Sequence, residues 1–177
     1  MKKDIDKLIK NLEIPMITVI GQNTLGIPVK DIEAIIEFGS QASHEIFEIA
    51  LEEGRLIKAL LDEDKIKSLI VLDNGDIIPS TFHFTSLRNR CKDYLTFVTT
   101  VGGDNAGINV EKINFIINYK ASDQPLVDEI MEKYRVLIGY DEVDKTRSMI
   151  IMQSNTVYPS TFNFSTLRKR LSNNKDI

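Results

Sequence analysis

The chain has 177 residues, of which 42% are hydrophobic, and it carries 22 Lys and Arg residues against 26 Asp and Glu residues, for a net charge of −4. This length is enough to bury one core or two small ones, and the mild acidity excludes a whole-molecule positive field that would attract nucleic acid. The single cysteine, Cys91, excludes an internal disulfide. Since the sequence shows neither a signal peptide nor a long apolar span, we expect a cytoplasmic protein without membrane contact.

The first part of the chain predicts a short helix followed by strands. Residues 1–15 place Ile5, Leu8, Ile9 and Leu12 at helical spacing, which is typical of an amphipathic lead-in helix that packs on the body or on a neighbouring chain. Residues 16–20 are predicted as a strand, residues 21–26 as a glycine turn, and residues 27–36 as extended chain with Pro28 at an edge.

A helix and a hairpin come next. Residues 42–53 have apolar side chains on one helical face, and Gly54 stands just past the predicted end. Residues 56–57 begin another strand. Residues 66–72 and 77–78 then predict two strands joined at Asn74-Gly75, a pair that supplies the two positive φ angles of a tight turn. Thr85-Ser86 is a candidate N-cap for a short helix, and Ser165-Thr166 is the same later in the chain.

The chain repeats itself. Residues 65–90 return without a gap as residues 145–170, and the identical positions include Pro79-Ser-Thr-Phe82 and Pro159-Ser-Thr-Phe162. Upstream residues match at an offset of 81, with Leu137-Ile138 expected to match Leu56-Ile57. We therefore predict an α+β fold of two tandem copies, residues 16–94 and 95–173, which pack together as a pseudo-dimer and leave a tail at 174–177.

Catalytic and metal chemistry finds little support in the sequence. The two histidines, His44 and His83, are not repeated between the copies, and no cluster of ligands shows metal-binding spacing. Residues 102–107 are rich in glycine but lack the Gly-Lys-Ser/Thr ending of a phosphate-binding loop, so a turn is the better interpretation. We expect a protein that is not an enzyme and that has no cofactor.

Each copy reads, in order, as glycine turn, strand, helix, charged loop, apolar hairpin and short arginine-ended helix. This order resembles the RemA-like family of small bacterial regulators of extracellular-matrix and biofilm genes. The resemblance covers each copy nearly end to end. It is clearest at Gly54-Arg-Leu-Ile57 and at Lys145-Thr-Arg-Ser148.

The resemblance implies a DNA-binding transcriptional regulator that assembles into rings or arcs and presents loop arginines to duplex DNA. At the matching positions, the basic loop residues are Lys65 and Lys67 in the first copy and Lys145 and Arg147 in the second. Another family arginine falls on Asp64 and Asp144, and a further one falls on Asp31 and Lys112. These acidic replacements oppose phosphate binding, which requires local positive charge.

A second basic group ends each copy. It comprises Arg88, Arg90 and Lys92 in the first copy, and Arg168, Lys169 and Arg170 in the second. These residues could contact phosphates, or they could be solvated helix ends that complement the carbonyl dipole. Residues two apart point to different sides of a helix, so Arg88 and Arg90 cannot both serve one contact. The nearby aromatic residues, Phe82, Phe84, Phe162 and Phe164, could stack on bases, but a place in the core is the expectation for them.

Two functions of different classes follow from these patterns. The first is a DNA-binding regulator or architectural protein that self-associates and contacts double-stranded DNA through the basic residues named above. The second is an oligomeric scaffold that has lost DNA binding and instead binds a protein partner or a small anionic ligand. The acidic net charge favours the scaffold, and the repeated basic elements favour DNA binding.

Overall fold

The structure, a computed structural model, describes residues 16–20, 25–57, 63–93, 97–101, 104–119, 124–133, 135–136 and 146–173. The predicted lead-in helix and the C-terminal tail lie outside these residues. In the first repeat the helices and strands are β1 (Met16–Ile20), β2 (Leu25–Pro28), β3 (Ile32–Glu37), α1 (Gln41–Glu52), β4 (Ser68–Leu72), β5 (Ile77–Ser80) and α2 (Phe84–Cys91).

The second repeat has the same order with one addition, the short strand β9, whose counterpart in the first repeat is an isolated bridge at Leu56. These are β6 (Phe97–Val101), β7 (Asp104–Asn109), β8 (Ile113–Asn118), α3 (Gln124–Lys133), β9 (Arg135–Val136), β10 (Ser148–Met152), β11 (Thr156–Ser160) and α4 (Phe164–Asn173). The fold is α+β with mainly antiparallel sheets, and it consists of two packed tandem units, as the sequence predicted.

The two repeats share a sheet. The five-stranded sheet has the order β5-β4-β3-β7-β6, so the first hairpin of the second repeat extends the sheet of the first repeat. Strand β3 pairs with β7 in antiparallel register, with Ile35 opposite Gly107. A four-stranded sheet, β8-β10-β11-β9, belongs to the second repeat alone, and β1 and β2 form a separate hairpin.

The largest core cluster is built from both repeats. The first repeat supplies the β3–β4 face and helix α1, and the second repeat supplies six fully buried side chains: Ala106, Ile108, Ile150, Met152, Tyr158 and Leu167. A second cluster lies between β2, the other face of the first sheet and α2. A third lies between α3 and the second sheet. The central cluster is therefore the joint between the repeats.

Local chemistry explains where the helices begin and end. Helix α1 begins after Ser40, whose hydroxyl accepts a hydrogen bond from the Ser43 amide, and the Ser43 hydroxyl accepts one in return from the Ser40 amide. It ends before Gly54, whose φ of 69° suits a residue without Cβ.

Several local predictions were wrong. The stretch 27–36, expected to be extended throughout, is interrupted by a 3-10 turn at Val29–Asp31. Helices α2 and α4 begin two or three residues earlier than the N-cap candidates indicated. His83 is therefore the N-cap of α2, and the Asn163 side chain accepts from the Thr166 amide at the start of α4. In the first hairpin only Gly75 has positive φ, at 92°, and Asn155 takes the equivalent place in the second with 66°.

The offset between equivalent residues of the two repeats also changes from 81 to 80 earlier in the chain than expected. Val136 lies opposite Val157 just as Leu56 lies opposite Ile77, so Val136 is the equivalent of Leu56 and the expected match of Leu137-Ile138 to Leu56-Ile57 was wrong. Strands β3 and β8 still differ by 81. The single-residue difference therefore lies between these strands and the Leu56 and Val136 positions.

Candidate nucleic-acid interface

The basic residues that precede the apolar hairpin lie where strands β4 and β10 begin. Lys67 is exposed, its amide donates to the Ser80 carbonyl at 2.8 Å, and its carbonyl accepts from the Phe38 amide at 3.0 Å. These two backbone bonds fix Lys67 between β3 and β5, and its ammonium group approaches the Asp64 carbonyl at 3.4 Å. The backbone of this cation is therefore held by regular structure.

An arginine from the short helix α2 lies near the start of strand β4. The Ser68 hydroxyl donates to the Phe82 carbonyl, and the guanidinium carbon of Arg90 lies 3.9 Å from the centre of the Phe82 ring. Such cation–π stacking orients the planar guanidinium group on the half-buried ring. Lys67 and Arg90 are thus both tied to the Ser80–Phe82 segment, Lys67 through its backbone and its neighbour Ser68, and Arg90 through the Phe82 ring. We call these two residues the basic cluster of the first repeat.

The second repeat reproduces this arrangement. The Arg147 amide donates to the Ser160 carbonyl at 2.8 Å, and the Ser148 hydroxyl donates to the Phe162 carbonyl at 2.6 Å. Arg170 lies 4.1 Å from the centre of the Phe162 ring. Exposed Arg147 and Arg170 therefore form the equivalent of the Lys67–Arg90 cluster.

The other predicted basic residues are placed differently. Lys65, Arg88 and Arg168 are exposed, while Lys145 lies outside the described residues. Lys112 is half-buried at the joint between the repeats, where its ammonium nitrogen lies 2.9 Å from Asp73 Oδ2. In each repeat the structure thus ties the strand-end basic residue and the later arginine of the helix to the same segment, Ser80–Phe82 or Ser160–Phe162. Lys112 instead forms an internal ion pair.

The aromatic residues divide between core and surface. Phe84 is buried as expected, and Phe82 and Phe162 are half-buried under their arginines. Phe164, however, is 42% exposed, so the expectation of a core position was wrong there. The difference arises because Phe84 packs in the cluster that contains Ile27 and Val29, whereas the clusters of the second repeat leave Phe164 out.

A buried polar network at the joint was missed by the sequence analysis. The Tyr158 hydroxyl donates to Glu33 Oε1 at 3.1 Å, and both residues are at most 1% exposed. The Asn109 side chain donates to the Ile32 carbonyl at 2.9 Å. These bonds fix the register of one repeat against the other.

The network borders a cavity of about 170 Å³ lined by Glu33, Asp73, Lys112, Gln153 and Ser154. Burial raises the pKa of Glu33 above its ordinary value of 4.5, and the hydroxyls of Ser154 and Tyr158 offset this effect only in part. Burial, together with the nearby Glu33 carboxylate, raises the pKa of Tyr158 well above 10.0. Tyr158 is therefore a hydrogen-bond donor at any physiological pH.

We expect the stability of the protein to fall as pH rises through the range in which Glu33 loses its proton. The folded chain holds this proton more tightly than the unfolded chain, so stability that is present at acidic pH is lost above the raised pKa. Glu33→Gln keeps an oxygen that accepts from Tyr158 and removes the titration. Urea unfolding of both proteins across the acid-to-neutral range should show a gain for the variant that grows with pH, and a constant difference would contradict the assignment.

One sequence signal could have revealed this network. The repeats mostly exchange like for like, but Glu33 corresponds to Asn114, Tyr158 to Ile78 and Asp73 to Gln153. These unlike exchanges lie at the joint, because only one side of each repeat faces the other. Differences between the repeats therefore mark their contact surface.

The Cys91 thiol is unreactive in the folded chain. Cys91 is fully buried, and burial raises the pKa of its thiol to about 11, which suppresses the reactive thiolate. In the described part of the chain, no three or more His, Cys, Asp or Glu residues come together as a metal-binding group. None of the described helices combines the length and apolar character that crossing a bilayer requires.

The fold defines a tandem α+β repeat protein whose two units share a sheet and each present a basic cluster beside a phenylalanine. The model of the RemA-like family, described as extracellular matrix regulatory protein A-like, matches residues 18–91 and again residues 99–171. The chain therefore belongs to the RemA-like family, in which it carries two copies of the family unit. No match was found among curated proteins or among solved structures.

Proposed function

We propose that the chain is a transcriptional regulator or architectural protein that binds the phosphate backbone of duplex DNA. The observation that carries this proposal is the basic cluster that both repeats build in the same way, from Lys67 and Arg90 around Phe82 and from Arg147 and Arg170 around Phe162. A planar guanidinium group that is held on a ring suits recognition of phosphate oxygens. Two such clusters in one chain can contact two places on one duplex.

Local charge matters more than net charge for this function. The whole chain has a charge of −4, but phosphate contacts depend on cations within about a Debye length, roughly 8 Å at physiological salt. Acidic residues outside that range reduce non-specific attraction without removing the contacts. The proposed binding is consequently weak at high salt and steeply salt-dependent.

Family membership supports the regulatory part of the proposal. A family described as extracellular matrix regulators favours a role in controlling matrix and biofilm genes, carried out in the cytoplasm without catalysis or a cofactor. Assembly into a ring or arc would place many basic clusters along one duplex. Because each chain supplies two family units, half as many chains would complete a ring of the family type.

Charge reversal of one basic residue in each cluster tests the proposal. We expect Lys67→Glu combined with Arg147→Glu to weaken binding to a labelled duplex by about 100-fold at low salt, since two phosphate contacts are replaced by repulsion. Fluorescence anisotropy measures the affinity. A matched control, Lys30→Glu with Lys133→Glu, changes the net charge equally at two exposed lysines outside the clusters.

The control pair makes the outcome specific. If both double variants lose affinity equally, binding follows net charge alone and the clusters are not the interface. If only the cluster variant loses affinity, the interface is located. Circular dichroism of each variant verifies that the fold is retained.

A protein-binding scaffold is the second candidate function. The exposed Asp64, which replaces a basic residue of the family pattern, lies beside Lys65 and opposes phosphate contact. A chain that assembles but leaves duplex DNA unbound at low salt would establish this alternative and overturn the DNA-binding proposal.

A further inference from the structure

The joint between the repeats is a strand pairing that the chain can make once more with another molecule. Strand β3 of the first repeat pairs with β7 of the second. The equivalent of β3 is β8, which in the described part of the chain pairs only with β10 and ends its sheet. The equivalent of β7 is β2, which pairs with β1 alone among the strands that the structure describes.

We infer that the open edge of β8 binds strand β2 of a second copy of this chain, in the register of the β3–β7 pair. This inference rests on the assembly part of the proposed function and supplies its contact surface. Shifting both strands by the repeat offset of 81 places Ile116 opposite Gly26 of the second copy, as Ile35 lies opposite Gly107. Phe115 then lies opposite Ile27, and Ile117 opposite Leu25.

Exposure on the β8 side fits this pairing. Phe115 is 39% exposed, whereas its equivalent Ala34, covered at the internal joint, is fully buried. Leu126 on α3 is 42% exposed, whereas Ile46, its equivalent at the offset of 80 that relates Leu56 to Val136, is 2% exposed. An apolar edge strand beside exposed apolar helix residues is a template for pairing with another chain.

The β2 side is complementary. Gly26 is exposed, while its equivalent Gly107 is buried at the internal joint. The β1–β2 hairpin has the same register as the β6–β7 hairpin, with Met16 opposite Pro28 and Phe97 opposite Asn109. The strand that would be added therefore already has the shape that the internal joint accepts.

The two joints differ in chemistry. The internal one is fixed by Glu33 with Tyr158, by Lys112 with Asp73, and by the Asn109 side chain. At the equivalent positions the joint between chains would have Asn114, Ile78, Gln153, Asp31 and Pro28. It would thus combine main-chain hydrogen bonds with apolar packing and no equivalent ion pair, so assembly should vary little with salt, unlike DNA binding.

The pairing joins unlike surfaces, so it links chains head to tail. Cysteine cross-linking tests this with two single variants, Gly26→Cys and Ile116→Cys. Directly opposed residues of an antiparallel pair lie about 4.5–5.5 Å apart at Cα, which is within disulfide range. Native Cys91 is buried and stays in both proteins.

Mild oxidation of the mixed variants should give a disulfide-linked species of twice the 20.1 kDa chain mass, while neither variant alone should cross-link. Absence of the mixed product would overturn the inference. Efficient self-linking of either variant would also overturn it, because this result indicates a symmetric contact between like surfaces.

A second experiment distinguishes loss of this contact between chains from loss of DNA binding. Light scattering without DNA should show assemblies of the wild-type chain and single 20.1 kDa chains for Phe115→Glu. The control Ile49→Glu changes a residue on α1 that is 46% exposed, and it should retain the assemblies. A wild-type monomer would contradict the inference even if DNA is bound. Assembly that Phe115→Glu abolishes would support the inference even if DNA binding fails.

Discussion

The first repeat produced alone, as residues 1–95, is expected to lack cooperative unfolding. It would lose strand β7 from the edge of β3, and it would lose the six buried side chains that the second repeat adds to the central cluster. Complete burial of one apolar side chain contributes about 1.5–3 kcal/mol, so the loss is of the order of 10 kcal/mol. This is comparable to the whole stability of a typical domain, about 5–15 kcal/mol.

Circular dichroism and thermal melting of the fragment measure this effect. Residues 96–177 added in trans serve as the control, since they restore β7 and the missing cluster residues. We expect the sharp transition to return on mixing. A sharp transition for the fragment alone would show that each repeat folds independently and that the shared cluster is dispensable.

Replacing Tyr158 by Ile, the residue at the equivalent position of the first repeat, is expected to destabilise the chain by about 3 kcal/mol, since a buried charged acceptor loses its donor. The change removes the hydroxyl that donates to Glu33 and leaves a buried carboxylate without its tyrosine partner. Urea unfolding near neutral pH measures the loss. The variant should recover part of its stability in acid, where Glu33 becomes neutral.

The double variant Glu33→Asn with Tyr158→Ile removes both members of the pair. We expect its stability to exceed that of Tyr158→Ile alone, because no buried carboxylate remains to be solvated. Additive losses in the double variant would mean that Glu33 and Tyr158 contribute separately. In that case the bond between them would not fix the joint.

Local features of the fold could be predicted from the sequence. Residues close together in the chain determine the apolar runs on either side of Asn74-Gly75. They also determine the helical face that holds Ile46 and Ala50. The repeat doubled this information, since weak signals in one copy were supported by the other. Lys67 and Arg147 were selected through the family resemblance, and their contact with DNA stays a prediction.

The joint between the repeats could not be predicted because its contacts join distant residues. Nothing near Ile35 indicates that its strand pairs with Gly107. Nothing near Glu33 indicates that a carboxyl group inside an apolar strand receives a hydrogen bond from Tyr158, 125 residues away. Helix starts were misplaced for a smaller reason. Hydroxyl residues at 85–86 matched the preference for N-caps, but the chain begins helix α2 after His83.

Binding of the unmodified chain to duplex DNA across a salt series tests the central claim most directly. Proposed phosphate contacts by Lys67, Arg90, Arg147 and Arg170 predict measurable affinity at low salt, and a logarithmic slope of about −0.9 for each phosphate neutralised. A slope near −4 would match the four cationic side chains of one chain, and assembly would steepen it. Unchanged anisotropy at low salt, at protein concentrations where the chain is folded, would contradict DNA binding and leave the scaffold role.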